Sequence, residues 1–303
     1  MFVVILCFVY NQNQVFSGNS VVINSCEFRK CFSDIGGGVY YNSEEGNISI
    51  FNSLFFSCFA SSSGGVYAKM KRIEMKNVCF QNCSAQSCSS AYLLGKVSYV
   101  NLTMCNKCPG ELRYGHCGIL LHEGIQYSTY TNFSNSRMSE VTGLYHWVAV
   151  SSIVLYHISV DNNCGRVIGF ANDISISFNH KYLNFINNTV THGLINVAAQ
   201  VTLENSVFKN NSGPMTYRQN SHTQVLNLIS CSFDISAISN PGDCLGITQS
   251  CSFGISAITP IPYYTNDVHK CGAITETIIT ARSFFQQKKI VFLCSSVLFG
   301  LHK

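Results

Sequence analysis

The sequence predicts an all-β protein built as a parallel β-helix of about ten coils with about 25 residues each. Three observations support this: a short motif recurs ten times, apolar residues alternate with a period of two, and glycine-led strands recur between the motifs. Helical repeats need long 3.6-residue periodicity, and leucine-rich repeats need leucine at fixed offsets. Neither pattern is present.

The recurring motif pairs a large anchor residue with a small polar residue three positions later. The predicted anchors are Phe28, Phe55, Phe80, Cys105, Phe133, Val160, Phe185, Phe208, Phe233 and Phe253. The polar residues that follow them are Cys31, Cys58, Cys83, Cys108, Ser136, Asn163, Asn188, Asn211, Ser236 and Ser256. We expect the anchors to stack as an interior ladder. The polar position is predicted at a corner, where Asn tolerates left-handed geometry and can hydrogen-bond its stacked neighbour.

The strands between the anchors carry two further signals. Period-two alternation is seen in pairs such as Val21/Ile23, Ile48/Ile50 and Val201/Leu203, and it indicates strands with one buried face. A Gly-led motif precedes other strands, at 37–40, 64–67, 117–120, 142–145, 192–195 and 271–274, and it is weaker at 88–92. Glycine there provides a flexible corner or lets another backbone approach closely.

The paired motifs resemble the repeats of the polymorphic outer membrane protein family of chlamydiae. They are also similar to the Cys-rich surface proteins of trichomonad protists that share these repeats. The segments that carry the resemblance are FQNC at 80–83 and GGVY at 64–67, and the repeat form covers about residues 20 to 275. The resemblance implies a right-handed β-helix displayed outside the cell, with a role in adhesion or surface structure. The trichomonad type fits better, because the chain has no large C-terminal region for a translocating barrel.

The chain is predicted to divide into four parts. Residues 1–17 fit a signal peptide, although the basic start is missing and a first β-coil is the alternative. Residues 18–260 form the β-helix, with regular stacking ending near Pro260. Residues 261–289 are predicted to be irregular or loosely attached. Residues 290–303 carry a short apolar run that fits an anchor remnant, a GPI-type tail, a final strand or a cap.

Sixteen cysteines favour an oxidising compartment. Cys31, Cys58, Cys83 and Cys108 recur one coil apart, so they are predicted to form a ladder of disulfides or of buried thiols. Candidate glycosylation sequons lie at Asn47, Asn82, Asn101, Asn132, Asn187 and Asn210. The spacing of Cys105, Cys108, His116 and Cys117 allows a zinc site, but the ladder already explains Cys108.

Composition excludes other classes of function. Hydrophobic residues make up 47% of the chain, which is too high for a disordered protein, and a formal charge of +4 without a basic run gives no nucleic-acid surface. No cofactor motif, metal site or catalytic set is predicted. The nine histidines share no ligand spacing and are expected at the surface or in turns. Trp147 is expected in the core, whereas Tyr127 and Tyr130 are candidate contacts for carbohydrate or protein.

The expected function is therefore that of a non-enzymatic secreted or cell-surface β-solenoid, which binds a protein or glycan on another surface and can attach to a membrane through its C-terminal tail. The alternative is a carbohydrate-cleaving β-helix, active or degenerate, because this fold also carries lyases and glycosidases. Such enzymes need paired acids, and only Asp161 and Asp173 are candidates.

Overall fold

The computed structural model describes residues 2–6, 8–109, 116–160, 163–169, 178–197, 200–214, 216–218, 225–234 and 245–253. Within these ranges every helix or strand element is a β-strand, and all strand pairings are parallel and join neighbouring coils. The predicted parallel β-helix is confirmed. In the described residues no helix is present that is long and apolar enough to cross a membrane.

Each turn of the solenoid passes through three strand positions. The strands that lead into the anchors are β1 (Phe2–Leu6), β4 (Ser20–Asn24), β17 (Phe178–Lys181), β20 (Val201–Glu204), β23 (Leu226–Ile229) and β25 (Leu245–Gln249). The anchor strands are β2 (Val9–Tyr10), β5 (Glu27–Arg29), β18 (Asn184–Ile186), β21 (Val207–Lys209), β24 (Ser232–Phe233) and β26 (Ser252–Phe253). The third position is filled by β3 (Gln14–Phe16), β12 (Cys117–His122), β14 (Val141–Trp147), β16 (Cys164–Gly169), β19 (Thr189–Val197) and β22 (Thr216–Arg218).

Five longer strands bend through a corner and serve two or three positions. They are β7 (Val39–Phe56), β9 (Val66–Gln81), β11 (Cys88–Asn106), β13 (Ile125–Ser134) and β15 (Ser151–Val160). The corner that follows each anchor strand is called the second corner. After it lies a small separate sheet of three two-residue strands, β6 (Phe32–Ser33), β8 (Phe59–Ala60) and β10 (Ser84–Ala85).

The solenoid has about seven turns, fewer than the ten predicted from anchor spacing. The register of the anchor strand nevertheless continues from Tyr10 opposite Phe28 to Phe233 opposite Phe253.

The anchor side chains stack in the interior. Phe28, Phe55 and Phe80 are fully buried, and their ring centroids are 4.6 and 5.0 Å apart. Phe185, Phe208 and Phe233 form a second stack with separations of 5.3 and 4.8 Å. Phe133 is also fully buried, whereas for Phe253 only the backbone register is described. These spacings follow from the roughly 4.8 Å between neighbouring strands.

One predicted anchor is wrong by a single position. Ser159 pairs with both Phe133 and Phe185, whereas Val160 pairs with Ser134 and Ile186. The expected spacing of three residues between the anchor and the corner residue does not hold before Asn163. In this coil the corner residue follows its anchor by four positions, so the turn contains one additional residue.

The Gly-led motif exists because the anchor ring of the next coil occupies the space above it. A Cβ atom on Gly65 would lie 2.4 Å from Cε1 of Phe80, and one on Gly38 would lie 2.6 Å from Cδ1 of Phe55. The motif weakens at 88–92 for the same reason. Ser90 takes the equivalent place in the register, and the anchor above it is Cys105, whose thiol it contacts. A small anchor therefore leaves room for a side chain below it.

At the two ends of the chain the sequence predicts a signal peptide or a first coil over residues 1–17 and an end of regular stacking near Pro260. Residues 2–6 pair in register with Ser20–Asn24, and Tyr10 stacks on Phe28 at 5.0 Å, so the N-terminal residues occupy the place of a first coil. The shortened coil at the other end does not keep its register throughout, because β25 carries an irregularity between its pairs with Leu226 and Leu228. Pro260, the 261–289 segment and the 290–303 tail lie outside the described residues.

The packing of Gly65 against Phe80 predicts an energetic coupling. Gly65→Ser should destabilise the protein by about 1–3 kcal/mol through overpacking, and Phe80→Cys by about 3 kcal/mol through the cavity it leaves. The double variant reproduces the natural Ser90–Cys105 pair, so its cost should fall below the sum of the single costs by about 1 kcal/mol or more. Denaturant unfolding of the four proteins measures the coupling. Additive costs would mean that the two positions do not share space.

Candidate functional site

The cysteines of the predicted ladder are buried thiols that bond to the backbone of the coil below. Cys108 illustrates the arrangement: its Sγ accepts the N–H of Cys83 at 3.3 Å and donates to the carbonyl of Phe80 at 3.6 Å. Cys58 and Cys83 make the equivalent donation at 3.4 Å, to Phe28 and Phe55. Burial raises the pKa of the Cys83 thiol well above its usual value, which keeps the proton needed for donation.

Asn takes over the same role further along the chain. Asn163 accepts the N–H of Ser136 at 3.0 Å and donates its amide to the carbonyl of Phe133 at 2.8 Å. Asn211 makes the same pair of bonds, to Asn188 at 3.1 Å and to Phe185 at 2.8 Å. A short side chain with both a donor and an acceptor is required, which explains why the position is always Cys, Ser or Asn. We call this arrangement the corner clip.

In the structure Cys31, Cys58, Cys83 and Cys108 are free, buried thiols. Left-handed backbone was predicted at the corner-clip residue itself, but it lies at the residue before it. The corner-clip residue has to point its side chain inward. Positive φ angles are found at Lys30, Ser57, Asn82, Lys107, Asn135, Asn187 and Asn210.

On the outer surface, aromatic side chains line up along the rod. Tyr40, Tyr67 and Tyr92 are in register, with ring centroids 5.5 and 5.2 Å apart. They alternate with inward residues such as Val39 and Tyr41, so they point away from the core. The sequence signal for this surface is the tyrosine that ends the GGVY motifs. It was not predicted as a surface row, because the repeat was defined by its glycine and apolar positions.

The line of rings continues through His122 to Trp147. The hydroxyl of Tyr92 and Nδ1 of His122 lie 2.9 Å apart, and the His122 ring stacks on Trp147 with centroids 4.5 Å apart and planes at 8°. Burial raises the pKa of Tyr92 to about 12 and lowers that of His122. Near neutral pH this hydrogen bond therefore joins a protonated phenol and a neutral imidazole. We call Tyr40, Tyr67, Tyr92, His122 and Trp147 the aromatic strip.

The prediction that Trp147 packs in the core is wrong. Its side chain is 44% exposed, because the inward positions of its strand are taken by Leu144 and His146. His146 fits inside because its Nδ1 is hydrogen-bonded to the amide oxygen of Gln126. Trp147, Val148 (40% exposed) and Val150 (68% exposed) form an apolar area that we call the Trp147 patch.

Histidines were expected at the surface or in turns, and two contradict this expectation. His146 and His180 are fully buried. Nδ1 of His180 accepts the backbone N–H of Val154 at 3.2 Å, and burial lowers its pKa to about 3. Both rings therefore serve as hydrogen-bonded core residues, and that of His180 is neutral near pH 7.

A polar groove borders the strip at the preceding corner. Its volume is about 500 Å³, and it is lined by Asp34, Ile35, Ser61, Ser62, Gln86, Ser87 and His116. The corner backbones bond to one another, as in the 2.7 Å bond from the His116 N–H to the Ser87 carbonyl, so they form the scaffold of the groove. Hydroxyl, amide, carboxylate and imidazole groups thus line one depression, a set able to bind polar ligands such as carbohydrates or peptides.

An outer cluster separates the groove from the strip. Cys88, Cys117, Leu120 and Val141 are buried together outside the main core, with Tyr92 and Tyr145 packed against them. Ser87 and His116 of the groove immediately precede Cys88 and Cys117. Groove, cluster and strip therefore form one continuous face of the solenoid, which we treat as the candidate binding face.

Tyr127 and Tyr130, the candidate contacts named from the sequence, lie on β13, which leads into the anchor and does not occupy the strand position of the aromatic strip. Tyr127 stacks on Tyr99 with centroids 4.9 Å apart, and the guanidinium of Arg72 lies 4.7 Å from the Tyr99 ring centre. Tyr130 is 39% exposed at a corner with positive φ.

The structure separates the ligands of the zinc hypothesis. Cys105 and Cys108 belong to the core, whereas Cys117 belongs to the outer cluster and His116 lines the groove. Over the described ranges no three metal-binding side chains come together. Asp161 and Asp173, the candidate acids of a carbohydrate-cleaving site, lie outside the described residues.

The sequon asparagines differ in exposure. Asn187 and Asn210 are exposed at corners, and Asn47, Asn82 and Asn101 are half-buried. Asn132 is only 4% exposed. Of these six asparagines, Asn187 and Asn210 are therefore the exposed ones.

Comparison with other proteins does not identify the chain. No family model matches it, and no curated protein or solved structure matches it either. Its fold and surface are therefore interpreted from its own residues.

The corner clip makes a graded prediction at Asn163. Asn163→Leu removes both bonds to the coil below and should destabilise the protein by about 2–4 kcal/mol. Asn163→Ser should cost much less, because Ser136 fills the same position one coil below. Denaturant unfolding followed by circular dichroism measures both. Equal costs for Leu and Ser would show that the side chain acts by volume and not by hydrogen bonding.

Proposed function

We propose that this protein is a non-enzymatic, secreted or cell-surface β-solenoid that binds a protein or glycan on another surface. The single observation that carries the proposal is the Trp147 patch. A large aromatic side chain and two valines stay exposed in a fold whose interior positions are filled. Contiguous apolar surface beside polar groups is typical of binding sites.

The aromatic strip supports a role in binding. Rings that stack along the rod hold each other in place, so little conformational entropy is lost when a partner binds. His122 covers one face of Trp147, and the ring remains 44% exposed. Such a ring is able to stack on a sugar or pack against an apolar side chain.

Display outside the cell is the second part of the proposal. Its support comes from the sequence: the resemblance to surface proteins of the polymorphic outer membrane protein type, the apolar N-terminal run and the sequons. The sixteen cysteines give weaker support to display outside the cell, because four of them act as corner-clip thiols and not in disulfides. Membrane attachment through residues 290–303 remains part of the proposal.

Removing Trp147 should weaken binding at least about tenfold, as expected for a central aromatic contact. Beads coated with the full chain are tested on cultured cells and on an array of neutral and acidic glycans. Trp147→Ala is compared with Tyr130→Ala, an exposed aromatic outside the candidate binding face. Stability of Trp147→Ala should change little, because the residue is exposed.

Two outcomes would contradict this proposal. Retained binding by Trp147→Ala together with loss by Tyr130→Ala would place the contact on β13 and not on the candidate binding face. Release of reducing ends or unsaturated sugars from polysaccharides by the same preparations would favour the carbohydrate-cleaving alternative.

Passage through the secretory pathway predicts a pattern of glycosylation. In the folded fraction secreted from a eukaryotic host, Asn187 and Asn210 should carry glycans and Asn132 should not, because a buried amide has no room for one. Peptide mapping after enzymatic glycan removal identifies the modified sites. Asn187→Gln should remove one glycan and Asn132→Gln none. A protein retained in the cytosol, or a glycan on Asn132, would contradict the proposal.

A further inference from the structure

Cys88 and Cys117 are the closest pair of thiols in the outer cluster. Their Sγ atoms lie 2.8 Å apart, and the two residues are direct register partners on neighbouring coils. Thiols of the corner clip meet their carbonyl partners in the coil below at 3.4–3.6 Å, so this separation is short for sulfur in the same chain. Neither atom has a partner comparable to the backbone bonds of the corner clip. The other contacts recorded for them are to Ser87, at 3.8 and 4.0 Å.

The backbone allows these two sulfurs to bond. Register partners on parallel strands have Cα atoms about 4.8 Å apart, inside the range of about 4.4–6.8 Å that disulfides accept. The side chains of Cys88 and Cys117 belong to the same outward cluster with Leu120 and Val141. By contrast, oxidation of the ladder cysteines would remove the thiol protons that the corner clip donates to backbone carbonyls.

We propose that Cys88 and Cys117 form a disulfide that joins two neighbouring coils beneath the candidate binding face. A low-molecular-weight disulfide such as oxidised glutathione is the oxidant. One cysteine thiolate attacks it, forms a mixed disulfide and releases one thiol. The second cysteine thiolate then attacks the protein sulfur of the mixed disulfide and releases the second thiol. The two protons lost by the cysteines end on the two released thiols, and two electrons pass to the oxidant.

The position of the bond gives it a consequence for the surface. It would tie the beginning of β11, which carries Tyr92, to the beginning of β12, which carries His122. These two residues share the 2.9 Å hydrogen bond of the aromatic strip. The disulfide would also close the 29-residue separation between the cysteines and so restrict the unfolded chain. This inference is independent of which partner the face binds.

Peptide mapping tests the proposal on the full chain. The purified reduced protein is incubated with glutathione disulfide, denatured in N-ethylmaleimide and digested with trypsin. Cys117 is the sole cysteine of the tryptic peptide 114–137, whereas Cys88 shares the peptide 77–96 with Cys79 and Cys83. Cys79 is itself disulfide-bonded, so variants are needed to assign a link. A link between the two peptides is expected in the native sequence and in Cys83→Ser, and it should be lost in Cys88→Ser.

Thermal unfolding provides a second measurement. Oxidation should raise the unfolding temperature of the native sequence by about 5–10 °C and should not raise that of Cys88→Ser or Cys117→Ser. Recovery of both Cys88 and Cys117 as maleimide adducts after oxidation would overturn the proposal. A link from Cys117 that persists in Cys88→Ser, or a link between Cys83 and Cys108, would overturn it as well. Cys117 is the sole cysteine of its peptide, so its recovery as a maleimide adduct is read from the native sequence without any variant, and this part of the test stands even where a substitution prevents folding.

Discussion

The structure depends on one recurring interaction, the hydrogen bonds that a short side chain makes to the coil below it at the second corner. The turn leaves an N–H and a carbonyl of the lower coil pointing toward the next coil, and the thiol of Cys108 or the amide of Asn163 bonds to both. Buried backbone groups without partners would be costly. The interaction therefore joins successive coils at the corner that follows each anchor strand. Because it needs a donor and an acceptor on a short side chain, it also restricts the residue type.

The second constraint is the volume shared by anchor and glycine. The Phe80 ring occupies the space in which Gly65 would carry a side chain, and Cys105 leaves that space to Ser90. The anchor rings, stacked about 5 Å apart, and the corner clip of each coil together hold the register. Once the interior is filled in this way, bulky residues that do not fit inside are placed outward. Trp147 is outward because Leu144 and His146 occupy the inward positions.

The candidate binding face follows from these two constraints. A solenoid repeats each outward position on every coil, so a single tyrosine in the repeat becomes a row of stacked rings. The row meets an exposed apolar patch at Trp147 and a polar groove at the preceding corner. The groups that contact a partner are thus held by a rigid sheet, which favours binding without rearrangement. The Cys88–Cys117 pair lies beneath this face, where a covalent bond would make it more rigid.

The sequence by itself determined the parallel β-helix, the interior phenylalanines from Phe28 to Phe233, and the corner position limited to Cys, Ser and Asn. These features depend on local patterns that repeat, so a period of about 25 residues is enough to recognise them. Only the tertiary structure decided that Ser159 and not Val160 is an anchor, that Trp147 is exposed, and that Cys88 lies against Cys117 while the ladder cysteines bond to the backbone. Each of these depends on the register between coils. That register is set by hydrogen bonds and side-chain volumes from residues more than 20 positions away, and local spacing does not record them.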